Sequence, residues 1–279
     1  MTEPAKETTD HYYARHARMS FRWMAGGLAG LAATVFVVLK LLPGPAAFLL
    51  PEKWRDSIGR AAEASMTAGI RHCQTKEADA ALLAMAARLA DGNGDLPPFS
   101  VRVFNLPVVN AFALPGGRIV LTMPLITQAE NPEEVAGVLA HELGHAAYRH
   151  PEAELIRQAG LTLIVSALTS GGSSSFTALA GSAAILSYSR SAEAEADAFA
   201  VQTMEKAAID PTGLKHFFEK LLKEEGHNRG GVIGGLESAF STHPGTEERI
   251  KAIHPLPDGV APRPVLNPTQ WKALKAVCG

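Results

Sequence analysis

The sequence predicts an α+β, mostly helical domain with a small β-sheet, preceded by one N-terminal transmembrane helix. Three observations predict this fold class. An uncharged apolar run covers residues 24–39. Alanine-rich stretches on either side of the centre favour helices. Residues 99–126 are rich in β-branched and aromatic residues, which favour strands.

The chain is long enough for one core of moderate size plus appendages, whereas two large independent domains would be cramped. We expect four segments. These are a cytoplasmic segment at 1–22, a transmembrane helix at 23–42, the main domain at 51–256 and a Pro-rich C-terminal tail at 257–279.

The first element is the apolar helix. Its roughly 19 residues match a hydrocarbon core of about 30 Å, and Lys40 near its end can reach the headgroups. Pro43 and Pro45 then end the helix. A buried core helix is the alternative, but Phe21 and Trp23 at the boundary favour a span.

The side of the membrane is indicated by basic residues. Arg15, Arg18 and Arg22 precede the span and favour a cytoplasmic N-terminus, which places the main domain on the periplasmic side of an inner membrane. Three basic residues soon after the span weaken this contrast. A cleaved signal peptide at Ala46-Ala47 is the competing interpretation, against which the prolines and the long polar N-terminal segment argue.

Charge and cysteine content limit the possible partners and compartments. A net charge of −2, from 26 Lys and Arg against 28 Asp and Glu, gives no reason to expect nucleic acid as a partner. Cys73 and Cys278 are favoured to form one disulfide if the domain is exported. In a reducing compartment they would be two unrelated buried thiols.

Later elements follow from local signals. Two alanine-rich helices are expected at 52–70 and 76–95, and about three short strands follow, with Pro115-Gly116-Gly117 as a hairpin turn. Asn131 and Pro132 begin the next helix as N-cap and first helical residue. Residues 160–187 are apolar but broken by glycines, which favours buried helices or an interfacial lobe over a second span. Further helices are expected at 189–209, at 211–222, after Pro244 and at 271–277.

The helix after Asn131 carries "HELGH". His141 and His145 are four residues apart, so both imidazoles leave one face and can share a zinc ion. Glu142 is rotated by about 100°, which suits a general base better than a ligand. Gly144 allows a close neighbour, expected to be a strand or a substrate. Two histidines on an ordinary helix are the alternative.

A catalytic zinc site needs a third protein ligand and an open fourth position. A metzincin-type third histidine would fall at position 151, which is Pro151, and no acidic residue lies 20 to 25 residues after His145. Glu193 and Asp197 are the nearest candidates, because they share one face of the helix in "SRSAEAEADAFA". A solvated acidic face is the alternative.

Four motifs, "NAFALPGG", "HELGHAAYRH", "YSRSAEAEAD" and "STHPGTEERI", resemble the HtpX and CAAX prenyl endopeptidase group of zinc metallopeptidases, particularly its single-domain quality-control branch. The resemblance covers about residues 108–253. It implies a zincin-like (gluzincin) peptidase domain that binds one zinc ion and hydrolyses polypeptides. Only one span is evident here, which favours work at the membrane surface on misfolded envelope proteins.

The resemblance also implies residue roles. His141, His145 and Glu193 are expected as zinc ligands and Glu142 as the base. His243 is expected over the metal, where it stabilises the transition state or gates the site, although it also fits a surface or helix-capping histidine. The supporting roles are Asp197 beside a ligand, Arg190 as an ion-pair partner of a nearby acid, and Asn110 and Ala111 on the substrate strand, where an ordinary hairpin is the alternative. A membrane-tethered binding module with a structural or autoinhibited zinc site is the competing function.

Overall fold

The computed structural model describes residues 6–91, 96–169, 188–227, 243 and 247–279. Side chains are described in these ranges except at 6–22, 163–169 and 224–227. The side chains of Arg15, Arg18 and Arg22, which precede the span, therefore lie outside the described side chains. Most of the apolar stretch at 160–187 and most of the Gly-rich stretch at 226–235 also lie outside the described residues.

Met1–Pro43 forms one compact unit. It contains helix α1 (Lys6–Leu41). Within α1, the 19 residues Trp23–Leu41 are long and apolar enough to cross a membrane, and none of the most apolar window is buried. The predicted apolar helix is therefore present, with the length that a span requires.

The second unit, Gly44–Gly279, is mostly helical. Its helices follow the predicted order, but short helices also occur at 43–49, where prolines were expected to end a helix, and at 123–128, which overlaps the end of the predicted strand region. Its helices are α2 (Pro43–Leu49), α3 (Glu52–Met66), α4 (Lys76–Asp91), α5 (Met123–Gln128), α6 (Pro132–Ala147), α7 (His150–Thr169), α8 (Arg190–Lys206), α9 (Thr212–His227), α10 (Glu247–Ala252) and α11 (Pro268–Lys275). The first residue of α2, Pro43, is the last residue of the first unit.

The described strands form one small sheet of order β1-β2-β4-β3. They are β1 (His72–Cys73), β2 (Ser100–Phe104), β3 (Ala111–Leu114) and β4 (Arg118–Thr122). The central pair is parallel and both outer pairs are antiparallel. The predicted turn joins β3 to β4, where Gly116 and Gly117 have φ angles of 75° and 73°, which favour glycine. The two-residue β1 is too short to give a sequence pattern.

The core lies between the sheet and the helices that pack against α6. Helix α6 contacts α4, α8, α9 and strands β3 and β4. The C-terminal residues, expected as a tail, add Val265, Leu266 and Leu274 to this core. Cys73 and Cys278 form the disulfide that the sequence favoured, with their Cα atoms 4.8 Å apart. The mostly helical α+β prediction is confirmed.

Candidate metal centre

Helix α6 carries the candidate site through the middle of the core. The Asn131 side chain accepts a hydrogen bond from the Glu134 amide at 3.0 Å, so the predicted N-cap is present. His141, Glu142 and His145 are 2%, 1% and 0% exposed. Because ionisable groups are costly to bury alone, each of these side chains needs a polar partner or a cation.

Gly144 brings helix α8 against α6. A Cβ atom at position 144 would lie 2.9 Å from the Ala196 Cα, which is too close for two helix backbones. The close neighbour expected from sequence is therefore a helix, not a strand or a substrate. Ser189 caps α8 by accepting from the Ala192 amide. Glu193, in the first turn of α8, is consequently placed opposite the histidines of α6.

Four buried side chains converge between α6, α8 and residue 243: His141, His145, Glu193 and His243. The Nε2 atoms of His141 and His145 are 3.0 Å apart. Glu193 lies 3.5 Å from His141 Nε2 through Oε2 and 3.4 Å from His145 Nε2 through Oε1. His243 Nδ1 lies 3.1 Å from Glu193 Oε1 and 3.4 Å from His141 Nε2.

These distances fit a metal ion. Four ligand atoms placed tetrahedrally at about 2.1 Å from one ion are about 3.4 Å apart. The pairs named above are separated by 3.0 to 3.5 Å, and one donor atom from each of the four residues lies within 4.8 Å of all the others. Three imidazoles and one carboxylate facing one point repel each other unless a cation or protons lie between them. The residues present therefore match a metal site in both spacing and donor type.

Asp197 and Arg249 support these donors from the side. Asp197 Oδ1 lies 3.0 Å from His141 Nδ1, the ring nitrogen that faces away from the other donors. Arg249 binds Asp197 through Nε and Nη2 at 2.6 and 2.8 Å, and its Nη1 lies 2.6 Å from Glu193 Oε2. One guanidinium thus holds two acidic side chains in position.

The role expected of Arg190 belongs to Arg249. Arg190 is the first residue of α8 and is exposed, and no ion pair to it is seen among the described residues. Arg249 comes from α10, six residues after His243, and forms ion pairs with both acids. Arg249 lies within the "STHPGTEERI" motif, but its role is not evident from the sequence, because a short charged helix has no pattern that predicts a buried arginine.

His145 is held by two further residues without predicted roles. His150 Nδ1 lies 2.9 Å from His145 Nδ1, and His150 Nε2 lies 3.1 Å from Glu195 Oε2. The Tyr188 ring stacks on His145 with centroids 4.1 Å apart. Its hydroxyl donates to the Ala113 carbonyl at 3.4 Å. These contacts orient the imidazole and engage the nitrogen that faces away from the donor group.

The buried histidines and acids of the group shift each other's pKa values in the absence of a metal ion. Burial lowers the pKa of His141, but the contacts with Asp197 and Glu193 outweigh it and raise that pKa to about 9. Burial lowers the pKa of His145 well below its ordinary value. Burial raises the pKa of both Glu193 and Asp197. The surrounding histidines nevertheless hold the pKa of Glu193 far below its usual range. Arg249 and His141 lower that of Asp197 to about 2.

Glu142 adjoins the donor group without belonging to it. Its Oε1 lies 3.5 Å from His243 Nε2, and its buried Oε2 has no hydrogen-bond partner in the described part of the chain. A cavity of about 20 Å³ is bordered by Glu142, His141, His243, Asn110 and Ala111. This volume suffices for one water molecule. A carboxylate beside such a cavity is suited to accept a proton from a water.

Asn110 and Ala111, the predicted substrate residues, lie at the start of the edge strand β3. The main chain of Asn110 is bonded to Thr122, whose amide donates to the Asn110 carbonyl at 3.1 Å. The Ala111 amide donates instead to the Asn110 side-chain oxygen at 2.8 Å. A peptide that accepts a hydrogen bond from the Ala111 amide must therefore displace the Asn110 side-chain oxygen from it.

Replacing Arg249 tests its structural role. In Arg249→Ala the Asp197 and Glu193 carboxylates lose a shared buried partner, so we expect the free energy of unfolding to fall by about 3–5 kcal/mol. Arg249→Lys should lose less, because it keeps the charge but not the two-pronged geometry. Denaturant titration of the metal-free full chain in detergent measures both. Lys251→Ala, at an exposed position of the same helix, is the control, and an equal effect there would contradict this role.

Comparisons with known proteins agree with this geometry. A sequence model of peptidase family M48 matches residues 73–256. The chain is 32% identical over 178 residues to metalloprotease YcaL of Escherichia coli, covering 61% of this chain and 67% of that protein. It is 31% identical over 167 residues to the mitochondrial metalloendopeptidase OMA1 of Schizosaccharomyces pombe, covering 58% and 47%.

A further relative is the beta-barrel assembly-enhancing protease of Yersinia pestis, 27% identical over 200 residues, which are 67% of this chain and 40% of that protein. The chain thus spans about half or less of the length of two of these relatives. The family match covers well over half of the chain and includes every donor of the buried group. The metallopeptidase prediction from the four motifs is therefore confirmed, and the chain belongs to peptidase family M48.

Proposed function

We propose that the protein is a membrane-anchored, zinc-dependent endopeptidase that cleaves misfolded or unassembled envelope proteins. The observation that carries this proposal is the buried group of His141, His145, Glu193 and His243 with Glu142 beside it. In this proposal the first three residues are the zinc ligands and Glu142 is the general base. Asp197 fixes the ring of His141.

Zinc is the metal that this donor set favours. Two or three imidazoles with one carboxylate is a combination typical of zinc sites, and hard cations such as calcium and magnesium prefer oxygen ligands. A zinc ion supplies Lewis acidity for the substrate carbonyl and for water. The Nδ1 of His141 faces Asp197, so the carboxylate selects the tautomer whose Nε2 is available to the metal.

The protein's own residues move the proton. Glu142 takes a proton from the attacking water and delivers it to the leaving amine nitrogen, which its position beside the small cavity supports. The Nε2 of His243 lies next to Glu142 and, when it carries a proton, can donate to the oxygen that becomes negative. An extended polypeptide is held along β3 at Asn110 and Ala111.

His243 also supports the second candidate function. Its Nδ1 completes the group of four donors, whereas a catalytic site keeps one position open. A membrane-tethered binding module with a structural or autoinhibited zinc site therefore remains the alternative. For the endopeptidase, His243 must leave the fourth position when a substrate binds.

Location and substrates follow from features outside the site. Helix α1 has the length of a single span, and the Cys73–Cys278 disulfide is typical of an oxidising compartment. Together with the arginines before the span, these features support an inner-membrane protein with a periplasmic catalytic domain. The name of one relative, a beta-barrel assembly-enhancing protease, supports envelope proteins as substrates.

Metal removal and return tests the proposal. Full-length protein in detergent is assayed for zinc content and for cleavage of casein as an unfolded substrate. We expect a chelator to abolish cleavage because Glu142 alone cannot polarise the carbonyl, and we expect zinc, but not magnesium, to restore it. Cleavage by metal-free protein would contradict the proposal, and full zinc occupancy without cleavage would favour the binding module.

A further inference from the structure

Three large apolar side chains are exposed within a short segment of α2 and α3, a few residues after the apolar helix α1. Phe48, Leu49 and Trp54 are 54%, 83% and 64% exposed. They lie within seven consecutive positions, at the end of α2 and the start of α3. Leaving such area in water costs about 25 cal/mol per Å², so a cluster of this kind indicates a partner surface.

Arg149 holds this cluster on the domain. Its guanidinium donates to the main-chain carbonyls of Ala47 and Phe48 at 3.2 and 2.9 Å, and it lies 4.7 Å from the centre of the Phe48 ring. Ala47 itself is fully buried. Arg149 follows the end of α6, which carries His141 and His145. The exposed side chains are therefore fixed to the helix that carries the candidate metal ligands.

Chain connectivity limits what can cover the cluster. Phe48 is seven residues beyond Leu41, where the apolar segment of α1 ends. Even a fully extended chain of seven residues spans only about 25 Å, and α2 is helical and shorter. Trp54 is of the residue type enriched at the boundary between lipid and water. The neighbouring Glu52 and Lys53 are both exposed and their charges offset each other, so the apolar side chains must provide the contact.

We propose that Phe48, Leu49 and Trp54 form a membrane foot that inserts into the headgroup region of the bilayer crossed by α1. The foot gives the domain a second membrane contact in addition to its anchor. Arg149 connects this contact to the end of α6. The partner is a phospholipid bilayer, not a second copy of the chain.

Lipid quenching of tryptophan fluorescence tests the foot. The full chain with Trp23→Phe and Trp271→Phe retains only Trp54 and is reconstituted into phosphatidylcholine and phosphatidylglycerol vesicles. The phosphatidylcholine carries bromine either near the headgroup end or near the middle of the acyl chain. We expect Trp54 to be quenched, at least about twofold more by the shallow bromine than by the deep one, as for an interfacial residue.

Two exposed leucines provide a matched comparison. Leu49 in the foot and Leu83 on α4 are 83% and 71% exposed. Each is replaced by tryptophan in a chain whose three native tryptophans are phenylalanine. Leu49→Trp should be quenched and Leu83→Trp should not. Equal quenching at both positions, absence of quenching at Trp54, or a Trp54 signal that changes only with protein concentration, as a second copy would cause, overturns the proposal.

Discussion

Glu142→Gln is expected to lower the rate of casein cleavage by about 10²- to 10⁴-fold while the zinc content stays unchanged. Glutamine has nearly the same shape as glutamate but cannot accept the proton of a water. Glu142 is 1% exposed and its Oε2 has no hydrogen-bond partner in the described residues, so no other contact depends on its charge through that oxygen. The lower cleavage rate of Glu142→Gln is therefore expected to come from the loss of proton transfer.

The measurement compares initial cleavage rates at equal zinc occupancy. Glu77→Gln makes the same chemical change at an exposed position in the first turn of α4 and should cleave like the wild type. Thermal unfolding of all three proteins separates catalysis from folding. Wild-type activity in Glu142→Gln would remove Glu142 from the role of base, and a parallel loss of zinc would make it a ligand instead.

The pattern of the site could be predicted where it follows helical spacing. His141 and His145 are four residues apart, as are Glu193 and Asp197, so each pair leaves one face of its helix, and the structure brings the two pairs together. The cap at Asn131 and the turn at Gly116-Gly117 also have local chemical causes. Such features need only neighbouring residues, so a single sequence reveals them.

Contacts between distant segments could not be predicted in this way. Arg249 meets Asp197 and Glu193 only because the fold brings its side chain from α10 to α8, and no spacing rule connects residues about fifty positions apart. The contact of His150 with His145 requires the chain to turn between α6 and α7, where Arg149 has a φ angle of 54°. A straight continuation of α6 would have placed His150 elsewhere.

The C-terminal residues show the limit of composition as evidence. Prolines between 255 and 268 are typical of a linker. In the structure, the Val265 amide donates to Glu133 at 3.0 Å, and α11 packs against α4. This packing could not be predicted from composition. Apolar residues such as Val265 and Leu266 are too few among the prolines to show the periodicity of a helix or a strand.

Glu193→Gln is expected to weaken zinc binding by more than the 10- to 100-fold that is typical of residues supporting a ligand. Glu193 is fully buried and its two oxygens face His141, His145, His243 and Arg249. An amide at this position carries no charge and offers only one oxygen, so a zinc ion would keep only the two α6 histidines of the proposed ligand set. Equilibrium competition with a zinc chelator measures the change in affinity.

Asp197→Asn is the graded comparison for this prediction. Asp197 contacts His141 and Arg249 but no other donor of the group, so its loss should weaken zinc binding only indirectly, by about 10- to 100-fold. Because both substitutions remove one charge next to Arg249, their effects on the stability of the metal-free protein should be similar. The two therefore differ chiefly in zinc affinity. If Asp197→Asn weakened zinc binding as much as Glu193→Gln, Glu193 would be a supporting residue and the ligand set would consist of histidines alone.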